Sequence, residues 1–328
     1  MNNLRNISKS CLTKQIFSLT QKPIIKNVYR TFVPRKTRKS IEVYVDRKQQ
    51  NYTSNKFKEF IEYYFNTRLS KFNLSPVQPE LVNKKIIWQY WGQGIDKCPD
   101  IVTKCFKSVD EFKNDYQVIR LDDSNLFDYL NLPEFIYEKR KHKEFRPAFF
   151  SDLIRLALLD VYGGIWLDAT ILLTDFIPSK IKNMDYFMYQ RDHLTSNKEM
   201  WIRYDPLYFD WDKKHKVNVL NSIIISKPKN IVIHTILELL LNYWATQNHV
   251  PHYFFFQILY EELITDKLIQ FKCEIIDDTL PHLLQTMLND SFDQGNFKKI
   301  IEKSSIHKLR YKEDMSPNTY YTYIMKKL

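Results

Sequence analysis

Apolar positions along the chain follow two rhythms, one helical and one strand-like, and the changes between them mark out the elements. NKFKEFIEYYFNTRLSKF (55–72) repeats apolar residues at helical spacing through Phe57, Phe60, Ile61, Tyr64 and Phe65. KKIIWQYWGQG (84–94) is a short continuous apolar run that enters a glycine-bearing loop, which predicts a buried strand. PDIVTKCFKSVDEFK (99–113) starts on Pro99, suited to the start of a helix, and spaces Ile101, Val102, Cys105, Phe106 and Val109 along one face. YQVIRLDD (116–123) returns to strand. Strand, helix, strand is a βαβ unit and predicts parallel pairing.

LPEFIYEKRKHK (132–143) reads as a charged surface helix. Pro147 opens the next helix, with Phe150, Leu153, Ile154, Ala157, Leu158 and Val161 as its stripe. Leu156 and Leu159 widen that stripe until the helix is buried nearly all round, and Gly163 ends it. A strand is predicted over 165–173, with Ile165, Leu167, Ala169, Ile171 and Leu173 on one face and Trp166, Asp168 and Thr170 on the other. Strands at 185–190, 217–227 and 271–277, helices near 230–245 and 252–266, and SSIHKLRYK (304–312) carry the alternation onward. HYFFFQILYEEL (252–263) is read as core, with Glu261 and Glu262 turned toward water. The prediction is an α/β domain over 55–328 with a mostly parallel central sheet flanked by helices, preceded by an arm over 1–54.

Composition sharpens this in three places. A chain of 328 residues, 44% hydrophobic, can bury a large core, and only 5 glycines with no period of 20–50 residues exclude collagenous and repeat architectures. Cys11, Cys98, Cys105 and Cys273 form no C-x-x-C pair and no ladder with histidine, so they are read as reduced thiols of a cytosolic protein. Residues 1–40 hold ten Lys or Arg and no acid, and so carry nearly all of the formal net charge of +11. That arm, with Leu, Ile, Phe, Val and Tyr interleaved, suits an anionic membrane surface, where each cation contributes on the order of 1 kcal/mol. Its composition is also that of a transit peptide, a nucleic-acid-binding arm or a merely solvated terminus. No run is apolar enough to span a bilayer.

Three charges stand where the core should be. Asp152 and Arg155 lie three apart on the nearly all-apolar helix, and Asp168 lies in the strand that follows. Burying a charge costs several kcal/mol unless it is paired, so each needs a partner or a purpose. Asp is among the poorest strand residues, and in open α/β sheets ligands sit at the carboxyl ends of strands. A carboxylate there suits a divalent cation bridging a diphosphate, or the hydroxyls of a ribose or sugar. The bland alternative is a structural ion pair.

The run S-D-x-x-R followed by G-G-I-W-L-D-A-T resembles glycosyltransferases of the capsular polysaccharide synthesis family. It is more distantly similar to glycosyltransferases with a DXD sugar-binding motif, including the large clostridial glucosylating toxins. The likeness extends over IIWQYWGQG, Pro99, the 149–175 core, NSIIISK and IHKLRYK, most of residues 84–312. It implies a nucleotide-binding fold of the GT-A type and transfer from a nucleotide-sugar donor to a glycan or lipid-linked glycan acceptor of a cell-surface polysaccharide. It also implies that Trp91 lies near the nucleobase, that Asp152, Arg155 and Asn221 face the donor sugar, and that Trp166 lines the same pocket. Asp168 becomes the first acid of the motif and the catalytic candidate, and His307 and Lys308 approach the diphosphate. The broader families have a second acid where this chain has Thr170; the capsular branch often reads D-A-T. The expectation is therefore weak binding of Mn²⁺ or Mg²⁺ by Asp168, Thr170 and His307, with Lys308 sharing the charge. The expected setting is cytoplasmic, peripheral at the inner face of the cell membrane through residues 1–40, with no nucleic-acid partner. The rival of another class is a non-catalytic sugar-nucleotide fold attached to membrane or nucleic acid by its arm. A haloacid-dehalogenase-like phosphotransferase is disfavoured, because LDATILL lacks the later residues of D-x-D-x-[TV].

Overall fold

The computed structural model describes residues 7–311 and 316–327. Residues 1–6 of the basic arm, Arg5 among them, and Lys312 at the end of SSIHKLRYK lie outside the described residues. The chain begins with three helices, α1 (Leu12–Thr20), α2 (Pro23–Phe32) and α3 (Arg35–Phe65). Then follow β1 (Ile86–Tyr90), α4 (Asp100–Phe112), β2 (Gln117–Leu121), α5 (Glu134–Arg140), α6 (Pro147–Tyr162), β3 (Gly164–Leu167) and β4 (Ile171–Leu173). The second half holds α7 (Ser179–Lys182), β5 (Tyr186–Gln190), α8 (Lys198–Tyr204), β6 (Val219–Ser226), α9 (Ile231–Thr246) and α10 (Phe255–Ile264). It closes with α11 (Leu283–Thr286), α12 (Gln294–Lys303), β7 (Ile306–Lys308) and α13 (Tyr320–Lys327).

Five strands form the central sheet in the order β2-β1-β3-β6-β5. β1 pairs parallel with β2, as the βαβ reading requires, and on its other side parallel with β3. β6 pairs antiparallel with β3 and β5, so it is the strand that runs against the other four. Successive residues of β1 and β3 go to opposite faces. Trp88 and Trp166 join the core formed with α3, α6, α9 and α10, while Ile87, Ile165 and Leu167 join the core formed with α4, β4 and α7. A sheet covered on both faces explains why its strands read as apolar runs.

α6 is the mount for the buried charges. Leu153, Ile154, Leu156, Leu158 and Leu159 are all fully buried, each contributing about 1.5–3 kcal/mol by leaving water. The helix ends at Gly163 with φ +76°, and Gly164 follows at φ +104°. A Cβ on Gly164 would lie 2.5 Å from the carbonyl oxygen of Ile86, so only glycine lets β3 close against β1 here. The helix and strand are thereby joined with no loop between them.

Several expectations change. The strand predicted over 165–173 breaks into β3 and β4, because the amide of Ile171 turns back to the carbonyl of Asp168 (2.9 Å). β4 then pairs with β7 in a separate two-stranded sheet. The segment 271–277 forms no strand; it meets β5 by the single bridge Gln190–Asp277, and most of its side chains stay at the surface. Finally, the division at residue 54/55 falls inside α3, which buries Val45 as well as Phe57, Phe60 and Ile61. The intervening buried face is polar. Asp46 takes His252 (2.8 Å) and Gln50 (2.8 Å), and Ser54 donates to Glu262 (2.6 Å). Glu262 is therefore buried and paired, also with Lys216 (2.8 Å), and does not face water. From residue 7 the arm is likewise tied down: Ile7 is buried, Ser8 donates to Gln247 (2.7 Å) and the Cys11 amide to Gln49 (2.9 Å).

Candidate functional site

A cavity of about 630 Å³ opens where β1 and β3 end. The loop after β1 (Trp91, Gly92, Gln93) forms one wall, and the turn Asp168–Thr170 after β3 the floor. The first turns of α6 and the first half of β6 close two further sides. The location is the one that open α/β sheets use for ligands, since successive loops diverge there and leave backbone and side chains unpaired.

Arg155 is the hub. Its guanidinium sits 3.3 Å from Asp152 Oδ1 and 3.2 Å from Asp168 Oδ1. Its Nη1 donates to the carbonyl of Asn221 (2.6 Å), while Nε and Nη2 donate to Ser151 (both 3.1 Å). Only 4% of Arg155 is exposed, so this arginine holds the two carboxylates and β6 in place and has little surface left for a ligand. Asn221 donates to Asp152 Oδ1 (2.8 Å) and accepts from Gln257 of α10 (3.1 Å). Asp152, Arg155 and Asn221 are thus brought together at the cavity.

The carboxylates are pushed in opposite directions. Burial raises Asp152 to about 6; Arg155 and the Asn221 amide pull it back, and the Asp168 charge pushes it further up. Burial also acts to raise Asp168, but Arg155, Lys308 and hydrogen bonds from Trp166 and Ser222 outweigh it and hold it below the usual carboxylate range. Lys308 lies 3.4 Å from Asp168 Oδ2 and donates to Thr170 Oγ1 (2.5 Å). Asp168 therefore meets a cation on each oxygen.

Two expected site residues are placed elsewhere. Trp166 is fully buried and does not line the cavity; its Nε1–H donates to Asp168 Oδ1 (2.8 Å) and its ring lies 5.3 Å from the Arg155 guanidinium. It orients the carboxylate from behind. His307 alternates with Lys308 along β7 and so points to the opposite face, with Nε2 3.0 Å from Thr174 Oγ1. Burial pushes its imidazole down to about 3, so it is a neutral, enclosed group away from the cavity. The set Asp168, Thr170 and His307 does not fit a divalent cation: the histidine is turned away, and the Lys308 ammonium bridges the two remaining oxygen donors. Among the described residues, no group of three or more His, Cys, Asp or Glu is arranged to hold a metal.

Trp91 does line the cavity, edge-on to Tyr311 with ring centres 5.5 Å apart. Sequence reasoning missed Arg310 and Tyr311, which extend the wall beyond β7, Tyr253 just before α10, and Gln257 in its first turn. Arg310 carried a signal: it is two residues after Lys308, hence on the same side of an extended segment. Gln257 did too, as a polar residue inside FFFQIL. A second cavity, of about 720 Å³, shares Phe149, Asp205, Tyr253 and Phe254 with the first and reaches Lys14 of α1.

A family model described as capsular polysaccharide synthesis protein matches residues 36–327. No curated protein matches the chain. Among solved structures, the PaToxG glycosyltransferase aligns with 81% of this chain and 100% of its own, at 14% identity and a TM-score of 0.32.

Proposed function

We propose that this chain, which belongs to the capsular polysaccharide synthesis protein family, transfers a sugar from a nucleotide-activated donor to a glycan acceptor. The observation that carries the reading is the Asp152–Arg155–Asp168 cluster at the floor of a cavity of donor size, at the carboxyl ends of β1 and β3. Two carboxylates of divergent acidity that share one arginine and face a cavity support a functional role for the cluster. The sheet, with one reversed strand beside β3, suits a GT-A-type arrangement.

In this reading the Trp91 and Tyr311 rings flank the nucleobase, for which an aromatic face needs no specific hydrogen bond. Asp152 and Asn221 accept and donate to hydroxyls of the donor sugar, and Arg155 fixes both. Lys308 and Arg310 meet the diphosphate, and Asp168 keeps Lys308 in register. Catalysis then consists of holding donor and acceptor together and stabilising the departing nucleoside diphosphate. The second cavity, which shares the Tyr253 wall with the first, is where the acceptor enters in this reading.

We place the protein at the cytoplasmic face of the membrane, on a lipid-linked acceptor. Leu12, Ile16 and Leu19 make an exposed apolar stripe on α1, and Ile24, Val28 and Phe32 another on α2, in a stretch without acids. Among the described residues, no helix is long and apolar enough to cross a bilayer.

The test is incubation with a panel of nucleotide sugars, reading hydrolysis of each donor, beside thermal melts with nucleoside diphosphates and with oligonucleotides. One donor slowly losing its sugar, and stabilisation by its nucleoside diphosphate alone, supports the reading. Stabilisation by oligonucleotides alone points to a binding arm on an inactive fold.

A further inference from the structure

We infer that the Lys308 ammonium occupies the place of a divalent cation in this site, so that donor binding and transfer proceed without one. The inference rests on the sugar-nucleotide reading and goes beyond it by naming what neutralises the diphosphate.

Three observations carry it. The oxygens expected to hold a metal, Asp168 Oδ2 and Thr170 Oγ1, converge on Lys308 Nζ at 3.4 and 2.5 Å. The other oxygen of Asp168 already accepts from Trp166 at 2.8 Å and pairs with Arg155 at 3.2 Å, so each oxygen of this carboxylate is engaged with a cation. Mg²⁺ needs near-octahedral oxygen ligands, and a position flanked by a guanidinium and an ammonium repels any added positive charge. Lys308 is also not enclosed: a quarter of its side chain is exposed, and it lines the cavity. Arg310, on the same side two residues on, supplies a second cation, paired at 3.4 Å with Asp205 and more than half exposed. An ammonium with three rotatable donors can bond Thr170 and Asp168 and still turn one proton to a phosphate oxygen.

During transfer, the acceptor hydroxyl oxygen forms a bond to the anomeric carbon and its proton leaves to solvent. The bond from that carbon to the terminal phosphate oxygen breaks, and its electron pair stays on the phosphate. The new charge on the nucleoside diphosphate develops beside Lys308. Asp168 holds the lysine there, because its carboxylate stays ionised.

Calorimetric titration of the full chain with uridine and guanosine diphosphate, in chelator and in Mn²⁺, decides the matter. The expected result is a dissociation constant that changes less than about tenfold between the two conditions. Lys308→Met should weaken binding in chelator by about tenfold or more, with Lys308→Arg retaining most of it. Circular dichroism melts establish that each variant is folded; if Lys308→Met is not, the wild-type comparison and Lys308→Arg still decide. Wild-type affinity that drops about tenfold or more in chelator overturns the inference and leaves the transferase reading standing. So does a folded Lys308→Met that binds as wild type. Absence of binding by either nucleotide in both conditions removes the sugar-nucleotide reading, and this inference with it.

Discussion

Asp152 and Asp168 share one arginine, and their surroundings separate their acidities. Because folding raises Asp152 from near 3.8 to about 6, its contribution to stability is complete below the lower value and is lost as pH rises through the higher one. Asp168, held low, contributes stability above its unfolded value and loses it only as pH falls through its folded value. If the ionised Asp152 accepts a sugar hydroxyl, donor turnover measured from about pH 5 to about pH 8 falls as pH drops through about 6. The residual activity of Asp152→Asn should lack that limb; a limb that persists unchanged assigns it to another group. Arg155→Ala leaves two buried carboxylates without their shared cation, and urea denaturation should show a loss of about 3–5 kcal/mol. Loss of activity in that variant therefore says little about contact with substrate, whereas His307→Gln should leave nucleotide affinity within about twofold, since the side chain faces away from the cavity.

Elements matter here through their junctions. The α6–β3 junction works because Gly163 and Gly164 take left-handed backbone and Gly164 abuts the Ile86 carbonyl. Gly164→Ala should cost about 2 kcal/mol or more, read as a lowered midpoint of thermal unfolding, through strain and clash together. An unaltered midpoint would mean that β1 and β3 can part without cost. α3 shows a different limit. Its buried face between Val45 and Phe57 is built from Asp46, Gln49, Gln50, Thr53 and Ser54, so apolar periodicity has nothing to report there. Asp46, Gln50 and Ser54 are satisfied by partners from 166 to 208 residues away, as Ser54 by Glu262 and Gln50 by the Lys216 amide. The helix therefore belongs to the folded domain well before the apolar rhythm begins at Phe57.

Over the whole molecule, charge and apolar surface concentrate at the end opposite in sequence to the cavity's last wall. The segment with ten cations within residues 1–40 carries exposed stripes on α1 and α2, and Lys14 of α1 also reaches the second cavity. Ile24→Ser combined with Phe32→Ser should weaken binding to anionic vesicles, and raised salt should weaken it further, since the Debye length is about 10 Å at 0.1 M. Nucleotide affinity should stay unchanged in the same variant, because neither side chain lines either of the two cavities at the site. Vesicle binding that ignores both the substitutions and salt removes the membrane role from these helices.

The chain's own pattern determined the alternation of helices and strands, the parallel β1–α4–β2 unit, and the standing of Asp152, Arg155 and Asp168 as charges set in an apolar helix and strand, while Trp91, Asn221 and Lys308 were joined to them only through the family resemblance. Those features are local: a period of 3.6 or 2, a Pro or Gly at an element end, and a charge set against an apolar background are each visible within a few residues. Tertiary structure alone decided the break of the 165–173 strand, the burial of Trp166 and the turning away of His307. In a strand, side-chain direction reverses with each residue, so a turn at Asp168 or the register of β7 against β4 reassigns every face beyond it. The same register brings Lys308 onto the oxygens of Asp168 and Thr170, from a strand some 140 residues away in sequence, a distance over which spacing carries no information.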